Sequence, residues 1–172
     1  MLTVVSDTHG VDDHRLEGRT LEAVREADLV VHVGDFSTGD VLDAFHDEAD
    51  RLLGVYGNTD DADVRDRLPG ARTVEYAGVS FAVTHTRRGG TTGLAMLGRE
   101  RGADAVVFGH THRPTVDASG PVVLLNPGSH AEPRGNRTAH AELTPDGHGL
   151  RGRLVSTAGD TLETFRVPGS ER

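Results

Sequence analysis

The stretch Ala103-Asp-Ala-Val-Val-Phe-Gly-His-Thr-His112 decides how this chain is read. Asp104 to Phe108 is a strand-length, valine-rich run, the pattern of a buried strand. It ends in Gly109 and then in two imidazoles, His110 and His112. Working outward, four more runs end in the same way. LTVVS leads into Asp7-Thr8-His9, DLVVHVG into Asp35, RLLGVYG into Asn58, and VSFAVT into His85. A single aspartate is usually a loop residue or a helix cap. A single asparagine is usually a turn residue, and a single histidine a satisfied polar group. Five strand ends in order supply two carboxylates, one amide and four imidazoles, and that set points to a site for two metal ions. Residues i and i+2 leaving a strand point the same way, so Asp7 with His9, and His110 with His112, are each expected to address one ion. Gly34, Gly57 and Gly109 each precede a candidate ligand, where a missing Cβ permits close approach. Mixed oxygen and imidazole ligands suit Mn²⁺, Fe²⁺, Zn²⁺, Ni²⁺ or Co²⁺ better than Ca²⁺.

The segments between these runs read as helices in the first half of the chain. Leu21, Val24 and Ala27 share one face of Gly18 to Asp28. Thr38 or Gly39 opens a helix to Ala49, with Val41, Leu42 and Phe45 inward. A short helix spans Asp61 to Leu68, and another Thr91 to Arg101. Arg72 to Tyr76 and Val79 to Thr84 form a hairpin around Ala77-Gly78. After Phe108 the pattern changes to strands: Thr115 to Asp117, Val122 to Leu125, Arg137 to Thr144, Leu150 to Thr157 and Thr161 to Val167. The turns Pro145-Asp146-Gly147 and Ala158-Gly159-Asp160 separate the last three. Alternating βα units followed by antiparallel strands imply an α/β fold of two packed sheets flanked by helices. One domain over residues 1–167 is expected, with a frayed tail over 168–172.

The chain of 172 residues carries a net charge of -9, and all 18 of its basic residues are arginine. It has no cysteine, which excludes a disulfide framework, a thiolate metal site and a cysteine nucleophile. No membrane-length apolar run and no signal segment is apparent, so a cytoplasmic protein is expected. The skew toward Arg, Ala, Gly, Val and Asp fits a GC-rich genome. The acidity further suggests adaptation to high intracellular salt, where self-repulsion is screened. It also disfavours long nucleic acids as partners, because their binding rests on basic contacts with phosphates.

The motifs Asp7-Thr8-His9, Gly34-Asp35, Gly57-Asn58, His85, Gly109-His110-Thr111-His112 and Asn126-Pro127-Gly128-Ser129 resemble the calcineurin-like metallophosphoesterases. The similarity is greatest to their small single-domain archaeal and bacterial phosphodiesterase branch. It covers nearly the whole chain in order. The resemblance implies a four-layer α/β/β/α sandwich of two mixed sheets. It also implies a dinuclear centre, with Asp7, His9, Asp35 and His112 on one ion and Asp35, Asn58, His85 and His110 on the other. Two divalent ions are implied, Mn²⁺ or Ni²⁺ foremost, with Mg²⁺, Zn²⁺, Fe²⁺ or Co²⁺ as alternatives. Asp35, Asn58 and His85 are the candidate catalytic residues. The implied reaction is hydrolysis of a phosphodiester by in-line attack of a metal-bridging hydroxide. A small phosphodiester is the expected substrate, with no membrane partner, and relatives suggest a homodimer or homotetramer.

Two positions depart from the wider family pattern. Many members carry a leaving-group histidine directly after the asparagine, where this chain has Thr59 followed by Asp60. Threonine is no acid near neutral pH, so good leaving groups are expected to react best. His14 and His130 are candidates to replace that acid, and Asp60 is a further catalytic candidate, although a surface role is expected for both histidines. The second departure is His85-Thr86-Arg87 in place of His-Gly-His, which puts Arg87 or Arg88 forward as a phosphate contact or a solvated pair. His32 reads as a core residue or one behind the ligands, and His46 as solvated. His140 and His148 fall away from the ligand clusters, and the Asn126 to Ser129 turn reads as structural. Two alternatives stand beside the phosphodiesterase: a phosphomonoesterase or nucleotidase, and a non-catalytic scaffold similar in fold to a eukaryotic retromer subunit.

Overall fold

A computed structural model describes residues 1–169. The elements in chain order are β1 (Leu2–Val5), α1 (Gly18–Glu26), β2 (Leu29–His32), α2 (Gly39–Glu48), β3 (Leu52–Gly54), α3 (Ala62–Arg67), β4 (Ala71–Tyr76) and β5 (Val79–Thr84). They continue with α4 (Gly90–Glu100), β6 (Ala105–Val107), β7 (Thr115–Asp117), β8 (Val123–Asn126), β9 (His140–Pro145), β10 (Gly149–Val155) and β11 (Thr161–Pro168). The order expected from the sequence is present throughout. β9 begins at His140 rather than Arg137, because the preceding residues form a loop that crosses toward the site. β11 runs on to Pro168, which pairs with Gly149, and the Gly169 N–H donates to the His148 carbonyl. Two residues expected to fray are therefore in register, and 170–172 lie outside the described residues.

The strands form two mixed sheets. One has the order β11-β10-β9-β1-β2-β3 and the other β4-β5-β6-β8-β7. β1, β2 and β3 run parallel, as do β5, β6 and β8. Antiparallel β9, β10 and β11 fill one side of the first sheet, and antiparallel β4 and β7 take the two edges of the second.

Three apolar layers follow from the side-chain alternation. Between the sheets lie Leu2, Val4, Leu29 and Val31 from one and Val79, Phe81, Val83 and Leu125 from the other. Val5 and Val30 point to the opposite face, against Val24, Leu42 and Phe45 of the helices. On the second sheet, Ala82 and Val106 meet Leu94 and Leu97 of α4. Three buried layers require four structural ones, α/β/β/α. Thr38 and Asp61 start α2 and α3, their side-chain oxygens accepting from the Val41 and Val64 N–H groups. The carboxyl ends of β1, β2, β3, β5 and β6 converge on one edge of the sandwich, where ligands gather in open parallel sheets.

Candidate metal centre

All seven expected ligands meet at that edge. Asp7, His9 and His112 form one group of donors, and Asp35, His85 and His110 a second. Asn58 joins the second, with its Oδ1 3.1 Å from His85 Nε2 and 3.0 Å from His110 Nδ1. Asp35 lies between the groups: its Oδ2 is 3.1 Å from His85 Nε2 and 3.5 Å from His9 Nε2. Asp7, Asp35, His85 and His112 are buried, whereas Asn58 and His110 are exposed. The centre therefore opens on the Asn58–His110 side.

The strand-exit argument for convergence does not hold, and His110 and His112, expected to share one ion, fall in different donor groups. β1 ends at Val5 and β6 at Val107, so neither ligand pair lies on extended chain. Asp7, His9, Asp35, His110 and His112 all have positive φ, between 48° and 74°. Left-handed backbone is costly for side-chain-bearing residues and is kept where the surrounding structure enforces it. Here Asp7 N–H donates to the Gly34 carbonyl, His9 N–H to Asp35 and Gly10 N–H to Phe36, which ties the first ligand loop to the second. Close approach does depend on glycine. A Cβ on Gly57 would stand 2.1 Å from Asp35 Oδ1, and one on Gly109 would stand 2.3 Å from Ser6 Oγ.

Hydrogen bonds behind the ligands set their orientation. His85 Nδ1–H donates to the Val33 carbonyl at 2.8 Å, and His112 Nδ1–H donates to the Glu132 carbonyl. Each Nε2 lone pair is thereby turned inward. Asp35 Oδ1 accepts from Thr59 N–H at 2.9 Å. Burial alone would raise the Asp35 pKa, but the His85 imidazole and the Thr59 N–H hold it well below the usual carboxylate range.

Asp7 Oδ1 tests whether a metal fits. Asp7 Oδ2 accepts from Ser6 Oγ at 2.7 Å and from His110 N–H at 3.1 Å. Oδ1 is buried with no hydrogen-bond partner, and it faces the Nε2 atoms of His112 at 3.3 Å, His9 at 3.7 Å and His85 at 3.8 Å. A buried, unpaired carboxylate oxygen is expensive. A divalent cation among these donors would satisfy it, and the oxygen and imidazole set suits such an ion.

The auxiliary candidates take other roles. Asp60 is buried, and its carboxylate accepts from the N–H groups of Asp35, Ser37 and Gly57 at 3.0, 2.7 and 2.7 Å. It braces two ligand loops through backbone amides. His130 is not at the surface; it is buried, and Nε2–H donates to the His14 carbonyl. Burial pushes its pKa down to about 4, so it is neutral near pH 7 and cannot serve as the leaving-group acid. His14 is occupied as well, accepting from Leu16 N–H and contacting Glu48. Arg87 pairs with Glu100 of α4. His32 is fully buried and stacked on Phe36. Its Nδ1 accepts from Gly34 N–H, so Nε2–H is left to donate to Thr8 Oγ1, between two ligands.

Three further residues support the ligand loops; the Asn126–Ser129 turn is expected from the sequence to be structural, whereas Arg15 carries no sequence signal. Ser129 Oγ donates to the Asp7 carbonyl and accepts from Glu132 N–H. Asn126 Nδ2 donates to the Gly109 carbonyl and to Thr111 Oγ1. The Asn126–Ser129 turn is thus a structural brace for two ligand loops. Arg15 Nη1 donates to the carbonyls of Thr8 and His9, and Nη2 to that of Ala131. Backbone partners carry no residue type, so spacing alone cannot reveal these contacts.

The comparisons with known proteins agree with this geometry. The sequence profile described as calcineurin-like phosphoesterase superfamily domain matches residues 1–144. A probable metallophosphoesterase of Methanocaldococcus jannaschii is 34% identical over 139 residues, covering 78% of this chain and 70% of its own. A phosphodiesterase of the same organism is 25% identical, covering 73% and 81%. The solved structure of vacuolar protein sorting 29 from Cryptosporidium parvum superposes with a TM-score of 0.79 at 14% identity, covering 97% of each chain, a likeness of fold alone. With the profile spanning most of the chain and the ligand loops meeting at one edge, this protein belongs to the calcineurin-like phosphoesterase superfamily.

Proposed function

We propose that this protein is a metal-dependent phosphodiesterase acting on small phosphodiesters with good leaving groups. The observation that carries this reading is the pair of donor groups around Asp35, with Asp7 Oδ1 left unpaired between them. When bound there, two divalent ions such as Mn²⁺ or Ni²⁺ supply positive charge for the phosphoryl oxygens and make water a nucleophile near neutral pH. Asp35 spans both groups with one carboxylate oxygen. His85 and His112 hold their rings through backbone carbonyls and turn their inner nitrogens toward the donor groups. Asn58 and His110 form the exposed rim at which substrate enters. The reaction forms a water oxygen–phosphorus bond and breaks a phosphorus–ester bond, and the ester oxygen departs with the bonding pair.

Protonation of that leaving oxygen decides which esters react readily. Thr59 stands at the rim without an acidic proton. Asp60 is consumed by three backbone amides, and His130 is buried and neutral. The leaving group must therefore depart with little help, which favours phenolates over alkoxides. An overall acidic chain further favours small substrates over long nucleic acids.

A panel of aryl and alkyl phosphodiesters, aryl monoesters and 2′,3′-cyclic nucleotides, with Mn²⁺, Ni²⁺ and Mg²⁺ in turn, tests this reading. Aryl diesters are expected to turn over fastest, with a steep dependence on leaving-group pKa, and Asp35→Asn to abolish turnover. A flat leaving-group dependence would remove the argument from Thr59. Equal inactivity of wild type and Asp35→Asn with every metal would favour a protein-binding role for the fold.

A further inference from the structure

The exposed side of the centre adjoins a cavity of about 340 Å³ that the chemistry above does not use. Asn58 and His85 form its inner wall, so it is continuous with the second donor group. Its outer walls are Tyr56, Arg65, Thr84 and Thr86. The volume is that of a small-ligand site.

Arg65 is fixed in an unusual way for an exposed residue. Its Nε–H donates to the Asp60 carbonyl at 2.9 Å, and Nη2 donates to Gly57 at 3.2 Å and Asn58 at 3.1 Å. Its guanidinium carbon lies 4.8 Å from the centroid of the Tyr56 ring. Nη1 has no hydrogen-bond partner among the described residues. The side chain is therefore held as a plate, with one contact on Tyr56 and one donor edge free. Thr86 is exposed at the mouth.

We infer that this cavity is a subsite for the nucleoside of a nucleotide phosphodiester. A planar base meets an arginine–tyrosine platform, and its ring acceptors meet the free guanidinium edge and the exposed Thr86 hydroxyl. A purely aliphatic ester group would gain nothing from either. The subsite places the base beside Asn58, on the open side of the centre, and so names the substrate class of the activity proposed above, on which it rests.

Two esters with one leaving group test the subsite. These are the p-nitrophenyl ester of thymidine 5′-monophosphate and methyl p-nitrophenyl phosphate, assayed with Mn²⁺-loaded protein. Wild type is expected to favour the nucleoside ester by at least about tenfold in kcat/KM, the order of one base stacked on a side chain. Thr86→Trp fills the mouth and is expected to lower that ratio by about tenfold. Tyr56→Leu, which keeps bulk without the π face, lowers it in the same direction. Calorimetric titration with thymidine 5′-monophosphate and methyl phosphate gives the same comparison without turnover. A wild-type ratio near one overturns the subsite, as does a ratio unmoved in Thr86→Trp that melts like wild type. If neither ester is hydrolysed, the phosphodiesterase reading fails alone. Calorimetry then decides the subsite: tighter nucleotide binding lost in Thr86→Trp supports it, and equal binding of the two ligands by wild type overturns it.

Discussion

Two buried polar clusters are built around the six-stranded sheet, and they differ in whether their charges are satisfied. One is the centre at the ends of β1 and β2, where Asp7 Oδ1 has no donor and imidazole nitrogens face one another, His9 and His112 at 3.1 Å. The other is Glu142 on β9, which uses both oxygens. Glu142 Oε1 accepts from Arg19 Nε at 2.8 Å and His140 Nε2 at 2.9 Å, while Oε2 accepts from Arg153 Nη2 at 2.8 Å. Thr20 Oγ1 closes the network on His140 Nδ1 at 2.9 Å. Burial lowers the His140 pKa, so the ring is a neutral donor to the carboxylate. Both clusters contain buried carboxylate and histidine. Only the unsatisfied one is arranged to receive something, and the satisfied one joins α1 to the sheet. Incomplete pairing, rather than burial of charge as such, marks the functional site.

The largest expected effect tests the first cluster. Asp35→Asn should weaken Mn²⁺ binding by at least about 100-fold, the upper end of the losses seen for groups one shell further out. Titration calorimetry of the metal measures it. In metal-free protein the same change should cost no more than about 1–2 kcal/mol, because the Thr59 N–H can still donate to the amide oxygen. A variant that binds metal like wild type, or unfolds far more readily without it, would break the comparison.

Glu142→Gln should do the reverse. It strands Arg19 and Arg153, but both reach solvent, with side-chain exposures of 21% and 41%. The expected loss is about 2–3 kcal/mol, below that of a fully buried pair. Urea unfolding reads this loss, and metal affinity should stay within about twofold of wild type. Loss of metal affinity without loss of stability would show that the network serves the site.

The smallest effect is a pH dependence. His140 and the two arginines hold the Glu142 pKa below its ordinary value of 4.5 against the opposing effect of burial. The folded state then binds fewer protons than the unfolded state below that pH. The stabilisation is complete above pH 4.5 and is lost as pH falls toward the lowered value. Unfolding free energies between pH 6 and 3 should fall less steeply in Glu142→Gln than in wild type. Parallel slopes would show that Glu142 is not held below its ordinary range.

Much of this was legible in the sequence because it is carried by residue type. Val4, Val31, Val83 and Val107 announce buried strands, and the chemistry of Asp7, Asp35, His85 and His112 announces the centre. His130 misled because a loop histidine carries no mark of burial; it is inside because its ring packs edge-on to Phe45. Asp60 misled for the opposite reason: a carboxylate beside a ligand reads as catalytic, yet it is spent on backbone amides. The i, i+2 rule assumed extended chain where the backbone is left-handed, so it paired Asp7 with His9 correctly but joined His110 to His112, which fall in different donor groups.

By itself the sequence determined the order of strands, the ligand types and the missing acid at Thr59. Those depend on local hydrophobic pattern and on the chemistry of single side chains. Only the tertiary structure decided which histidines are oriented as ligands and which are neutral braces. It also decided that Asp7 Oδ1 stays unpaired and that a cavity opens beside Asn58. The physical reason is that a group's role depends on its partners. At this site those partners are carbonyls and amides from loops up to 122 residues away along the chain, as between Ser129 and Asp7.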